Sequence, residues 1–148
     1  MRIAVTGARG NVGREVINYF HQTGELRLPA GDGRVSFVSR CDVGRCLGEL
    51  ALREDDRSIH EVTGPSGFNM FQVAEQLSTS EKTIEYVNVS PEEFKEQIIQ
   101  ASWDPWWIFA YTSMFESIRE GRWEKVSKDV EDLTGRAPVS FREIVDVK

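Results

Sequence analysis

The chain opens "MRIAVTGARGNVGREVINYF", and this stretch limits the fold more than any other. Ile3, Ala4 and Val5 form a short apolar run, as expected of a strand covered on both faces in a parallel sheet. Gly7, Gly10 and Gly13 follow, and Val12, Val16, Ile17 and Phe20 then recur on one side of a helix. Gly24 stands where that helix would end, at the C′ position. Glycine permits a tight turn and lets a phosphate come close to the backbone. The unpaired N–H groups at the helix start then hold its charge, and Gly13 lets helix and strand pack closely. The pattern predicts an α/β fold in which Gly7, Arg9, Gly10, Asn11, Val12 and Gly13 bind a dinucleotide. A plain glycine-rich turn is the competing reading. Arg9 can pair with a 2′-phosphate, which favours NADP over NAD, although a solvated surface arginine fits the same position.

The next stretch does not read as the second unit of such a sheet. Residues 25–34 hold Pro29, Gly31 and Gly33 and suggest a turn-rich connection. Reading "ELRLPAGD" as a strand that ends in a ribose-binding Asp32 is opposed by Pro29, thin apolar content and the turn-like Gly-Asp-Gly. Strands are expected in "RVSFV", "SIHEVTGP" and "KTIEYVNV".

Helices are better signposted. Val43, Cys46, Leu47, Leu50 and Ala51 share one face, with Asp42 near the start. Asn69 and Gln72 form a capping box ahead of Met70, Val73, Ala74 and Leu77. Ser90, Pro91 and Glu93 begin another helix, which carries Phe94, Ile98 and Ala101 on one side. Asp104 and Pro105 repeat the signal before a stripe of Trp107, Ala110, Tyr111, Met114, Phe115 and Ile118 that closes at Gly121. A short helix over Val130 and Leu133, the turn "TGRAP" and a capped helix from Ser140, with Glu143 at N3, complete the chain.

The totals exclude several classes. With 148 residues, one domain is the simplest organisation, hiding roughly 68–70% of its unfolded surface. A net charge of -6 with scattered Lys and Arg argues against a nucleic-acid partner. No run reaches the roughly 20 apolar residues that cross a bilayer, and no signal peptide precedes the first strand, so the expected compartment is the cytoplasm. Cys41 and Cys46 point in different directions on their helix and lack partners at zinc-ligand spacing, so reduced packing thiols and no metal are expected.

With these residues in hand, the chain resembles the NmrA-like atypical short-chain dehydrogenase/reductases, especially the NAD(P)H:quinone reductase type. The matching pieces are "IAVTGARGNVGREV", "LPAGDGRVSFVSRCDVGRCL", "HEVTGPSGFNMFQVAEQLS", "IEYVNVSPEEFKEQI" and "IREGRWEKVSKDVEDLTGRAPVSFREIV", in the family's order. The resemblance implies an incomplete Rossmann-like parallel sheet. Residues 1–24 would be its first β-α unit. Residues 25–148, the C-terminal Rossmann strand and the substrate-side α+β region, would pack as one domain. Between Phe20 and Glu25 the family carries about four further β-α units, at roughly 30 residues per βαβ element. That interval holds the residues that choose NAD or NADP, the nicotinamide-lining loops and any catalytic Lys or Tyr.

No catalytic residue is assigned here, since Tyr19, Tyr86 and Tyr111 each lack a lysine four residues on. Trp103, Trp106, Trp107 and Tyr111 correspond to the substrate-side helices and suggest an aromatic lid over a small aromatic or quinone-like acceptor. An ordinary core stripe is the competing reading for Trp107 and Tyr111. A first strand stripped of neighbours invites association, so a homo-oligomer is expected, with domain swapping as one route. Three functions stay open: an NAD(P)H-dependent reductase of quinone-like acceptors, a non-catalytic dinucleotide-binding regulatory module, and an inactive remnant. Replacing Gly10 by valine should block phosphate approach by bulk. In a dinucleotide titration followed by tryptophan fluorescence, affinity should collapse, and an unchanged affinity would show that binding does not use this loop.

Overall fold

The structure is a computed structural model that describes residues 23–53, 58–100 and 104–145. The expected first strand, the helix carrying Val16 to Phe20, and the glycine loop lie outside the described residues. Thr23 is helical, and Gly24 takes the left-handed φ of +76° that suits a C′ glycine. The described elements are β1 (Glu25–Leu28), α1 (Arg40–Ala51), α2 (Met70–Leu77), β2 (Glu85–Asn88), α3 (Pro91–Gln100), α4 (Pro105–Arg119), α5 (Asp129–Thr134) and α6 (Phe141–Val145). This is a mixed α/β chain with a two-stranded parallel sheet among its described residues. Two compact units divide it. The first holds 36–53, 58–67 and 125–145, and the second 23–35, 68–100 and 104–124.

In the second unit, β1 corrects the expected turn-rich connection. Glu25–Leu28 is a strand, in parallel register with β2: Glu25 with Glu85, Leu26 with Tyr86, Arg27 with Val87 and Leu28 with Asn88. Its apolar content is thin because only one face is buried. Leu26 and Leu28 alternate with the exposed Glu25 and Arg27, and Arg27 pairs with Glu93 at 2.6 Å. Pro29 ends the strand without interrupting it, as a residue lacking an N–H should.

The capped helices form where their signals stand. Asn69 accepts from the Gln72 N–H at 3.0 Å, and the Gln72 side chain accepts from the Asn69 N–H at 3.2 Å. Met70, Val73, Ala74 and Leu77 are all buried. Ser90 Oγ accepts from the Glu93 N–H, and Asp104 Oδ1 from the Trp106 N–H. Phe94 meets Phe115 edge-on at 5.0 Å, which ties α3 to α4. Ala101 lies outside the described residues.

The first unit rests on α1 against α5. Cys46, Val130 and Leu133 form its core, with Leu50 and Val62 beside them, while Cys41 is exposed, so the two thiols do diverge. Burial, more than the nearby Asp42 charge, pushes the Cys46 thiol up. Two expected strands take another form. "RVSFV" contributes only single bridges: Val35, in the second unit, pairs antiparallel with Phe68, and Val38 bridges in the first. Residues 58–67 run without a strand ladder. Side chains of residues 127 and 129 serve the Glu61 backbone, Asp129 accepting from its N–H and Ser127 Oγ donating to its carbonyl, while Thr63 Oγ1 accepts from the Ser127 N–H at 2.9 Å. Gly64 lies so close to Phe37 that a Cβ would overlap its carbonyl oxygen.

Asp42 is fully buried and joins the start of α1 to the segment before α6. It accepts from the Ser39 hydroxyl at 2.7 Å and the Val139 N–H at 2.9 Å, and it pairs with Arg45. In return, Ser39 Oγ caps α1 through the Asp42 N–H at 3.0 Å. Arg45 is about a third exposed, so removing Asp42 chiefly takes the acceptor from the Ser39 hydroxyl and the Val139 N–H. Asp42→Ala should therefore destabilise the chain by about 2–3 kcal/mol. Urea unfolding should show a lowered midpoint, and a midpoint equal to that of wild type would remove Asp42 from this role.

Candidate functional site

In open α/β sheets ligands bind outside the carboxyl ends of the strands. In the second unit that end is the loop Pro29–Gly33, which the sheet itself fastens. The buried Tyr86 phenol accepts from the Ala30 N–H at 3.2 Å. Its own hydrogen has the Leu28 carbonyl at 3.1 Å, the Gly31 carbonyl at 3.3 Å and Asn88 Oδ1 at 3.0 Å within reach. Asn88 Oδ1 also accepts from the Gly31 N–H at 3.0 Å. Arg119 of α4 also donates to the loop, at the Pro29 carbonyl.

The tight turn Ala30–Gly33 is closed by a 3.1 Å bond from the Gly33 N–H to the Ala30 carbonyl. Gly31 takes a φ of +55°, and a Cβ at Gly33 would overlap the Ile118 carbonyl. Asp32 is exposed at the tip of this turn, as Gly-Asp-Gly suggested. The loop is therefore a rigid rim on the parallel pair. Sequence reasoning did not single out Tyr86, Asn88 or Arg119 as its fasteners. Tyr86 and Asn88 stand two apart on one strand, which puts both on one face, so a signal existed.

The aromatic segment lies elsewhere on the same unit. The expected stripe is a core only in its second half: Phe115 and Ile118 are buried, and Ala110, Tyr111 and Met114 are half-buried. Trp107 is 48% exposed and Trp106 62%, which corrects the core-stripe reading for Trp107. Their rings meet edge-on at 4.8 Å, and Trp107 lies 5.8 Å from Tyr111 at a 32° tilt. Along the helix, Trp107 stands about 18 Å from Arg119 at about 1.5 Å per residue. The aromatic end and the fastened loop are thus separate places. Trp103 lies outside the described residues, as do Gly7, Arg9, Gly10, Asn11, Val12 and Gly13. Among the described residues no cluster of His, Cys, Asp or Glu could hold a metal ion, and no helix is long and apolar enough to cross a membrane.

Solved structures with this fold include reductases and an epimerase. The chain superposes on a triphenylmethane reductase of Citrobacter sp. complexed with NADP(H), with a TM-score of 0.83 over 97% of this chain and 50% of that one, at 21% identity. It also matches an NADPH-dependent quinone oxidoreductase of Escherichia coli, with a TM-score of 0.81 and 20% identity over 88% of this chain and 48% of that one. The chain shares the fold of these two reductases over about half of their length. A curated relative, prestalk A differentiation protein A of Dictyostelium discoideum, is 29% identical over 123 residues, 81% of this chain and 40% of its own length. No family model matches. The chain thus spans about half the length of the solved reductases, a shortfall of the size that the sequence resemblance implied.

Burial pushes the Tyr86 phenol up, against the lowering effect of its bonds with Ala30 and Gly31. An unfolded tyrosine ionises near pH 10, so folding stability should fall as pH rises from about 10 through the raised folded value. Tyr86→Phe should remove this alkaline loss. It should also cost about 1–3 kcal/mol at neutral pH, because the buried Ala30 N–H loses its acceptor. Urea titrations at neutral and alkaline pH read both effects, and identical profiles for the two proteins would refute the fastening role.

Proposed function

We propose that this chain is a dinucleotide-binding protein of the NmrA-like reductase type, derived from an NAD(P)H-dependent reductase of quinone-like acceptors. The observation that carries this reading is the fold likeness, over 97% of the chain, to a reductase solved with NADP(H). The sequence pattern of residues 3–20, an apolar run, three spaced glycines and an amphipathic repeat, supports it independently. Among the described residues, Tyr86 and Asn88 are taken up by the backbone of Pro29–Gly33 and offer no phosphate cradle. The diphosphate therefore falls to the amides of Gly7, Gly10, Asn11, Val12 and Gly13, with Arg9 favouring NADP over NAD through the 2′-phosphate.

When bound, the dinucleotide supplies the hydride, and the protein supplies binding and orientation. Trp107 and Tyr111, with Trp103 and Trp106 beside them in sequence, would stack on a flat acceptor. The chain works in the cytoplasm as a homo-oligomer, with exchange of the first strand as one route to it. A second reading, a binding module without catalysis, is favoured by one observation. No tyrosine here has the lysine partner of a reductase dyad, and the Tyr86 hydroxyl is committed to its own loop.

Titration with NADPH and NADH should quench tryptophan fluorescence, more strongly with NADPH. Adding a quinone should then consume nicotinamide absorbance if the chain is a reductase, and leave it unchanged if the chain is a binding module. No fluorescence change up to millimolar dinucleotide would overturn both readings and leave an inactive remnant.

A further inference from the structure

Asp32 followed by Gly33 is the one Asp-Gly step in the sequence, and it forms the tip of the fastened loop. An aspartate cyclises onto its own backbone most readily before glycine. The amide nitrogen of the next residue attacks the side-chain carboxyl, and glycine brings no side chain to hinder the approach. Here the ring would close by forming a bond from the Gly33 nitrogen to Asp32 Cγ, with release of one water. Water then opens the succinimide. Attack at the former backbone carbonyl of Asp32 leaves an isoaspartate, in which the chain runs through the side-chain carboxyl. Water is the only co-reactant.

The loop treats the two reacting groups differently. Asp32 is exposed, so burial does not shield its carboxyl. The nucleophile is withheld instead. The Gly33 N–H donates to the Ala30 carbonyl at 3.1 Å, and attack requires that this nitrogen give up its proton and turn toward Asp32. The turn cannot shift alone. Tyr86 holds the Ala30 N–H at 3.2 Å, Asn88 holds the Gly31 N–H at 3.0 Å, and Arg119 holds the Pro29 carbonyl. Nor can another residue take the place of Gly33, because a Cβ there would overlap the Ile118 carbonyl. The labile pair is therefore built into the contact with α4, and the fastening keeps it intact.

We propose that Asp32 and Gly33 form a self-modification site, gated by the fastening of their loop. The closed loop preserves the aspartate, and each opening exposes the pair to a change that closing cannot reverse. Isoaspartate lengthens the backbone by one carbon beside Gly33, which has no slack against Ile118, so the modified loop does not regain its place on α4. Opening and closing are far faster than cyclisation, so the rate follows the open population of the loop. The site does not depend on dinucleotide binding.

Trypsin cuts after Arg27 and Arg34, releasing residues 28–34, in which Asp32 is the only acid. Chromatography separates the aspartate and isoaspartate forms of this peptide, and mass spectrometry finds the succinimide as a form lighter by one water. Over days at neutral pH, the folded chain should gain isoaspartate at least about tenfold more slowly than the chain unfolded in guanidinium chloride. Tyr86→Phe takes the acceptor from the Ala30 N–H and should raise the folded rate about fivefold or more. Asn88→Ala should raise it through Gly31, and Asp32→Ser should abolish the product with unchanged circular dichroism. Isolated isoaspartate chain should unfold at a lower urea concentration than fresh protein. Equal rates in the folded and unfolded chain would overturn the proposal. So would folded Tyr86→Phe and Asn88→Ala proteins that age no faster than wild type, or an isoaspartate chain with an unchanged urea midpoint. Should both variants fail to fold, the folded and unfolded wild type decide.

Discussion

The parallel pairing of β1 with β2 is the constraint on which the second unit depends. Once Leu26 lies beside Tyr86, and Leu28 beside Asn88, the chain leaving β1 must pass over two polar side chains of its neighbour. Tyr86 and Asn88 take up the backbone of that exit, and Arg119 holds its Pro29 carbonyl. The glycines make the arrangement possible. Gly31 turns with a positive φ, and Gly33 lets the loop touch the backbone of α4. Neither β1 nor the loop is stable as a local structure, because a four-residue strand holds only through its partner.

Charge and aromatic surface divide differently between the units. Buried polar groups anchor the first, where the Asp42 carboxylate joins Ser39, Arg45 and the approach to α6. The second unit keeps its ions outside and its aromatic rings partly outside as well. A helix such as α4 needs some cover for Trp106 and Phe109, whether a ligand, a longer relative's additional chain or a second copy.

Local signals were read well where a cap or a face decides the structure within a few residues. Asn69 with Gln72, Ser90 with Glu93, Asp104 with Pro105, and Ser140 with Glu143 each begin a helix. These bonds close over three residues or fewer, so the sequence contains both partners side by side. Strands fared worse. "ELRL" pairs although it looked like a connection, while "RVSFV" and residues 58–67 looked like strands and make only bridges or side-chain bonds. What decides between those outcomes is a partner 60 residues away for β1, Phe68 for Val35, and the side chains of Ser127 and Asp129 for Glu61. Periodicity alone does not contain that choice.

The amino-acid order by itself determined the caps, the helix faces, the divergence of the two thiols and the likeness to a dinucleotide-binding reductase. Each follows from chemistry contained in one short window, or from motifs kept in one order. Only the tertiary structure decided that Glu25–Leu28 is a strand, that Tyr86 and Asn88 fasten its exit, and that the aromatic stripe of α4 is half core and half surface. Those outcomes turn on which distant group arrives to satisfy a backbone bond or to cover a ring, and contact between distant groups exists only once the chain has folded.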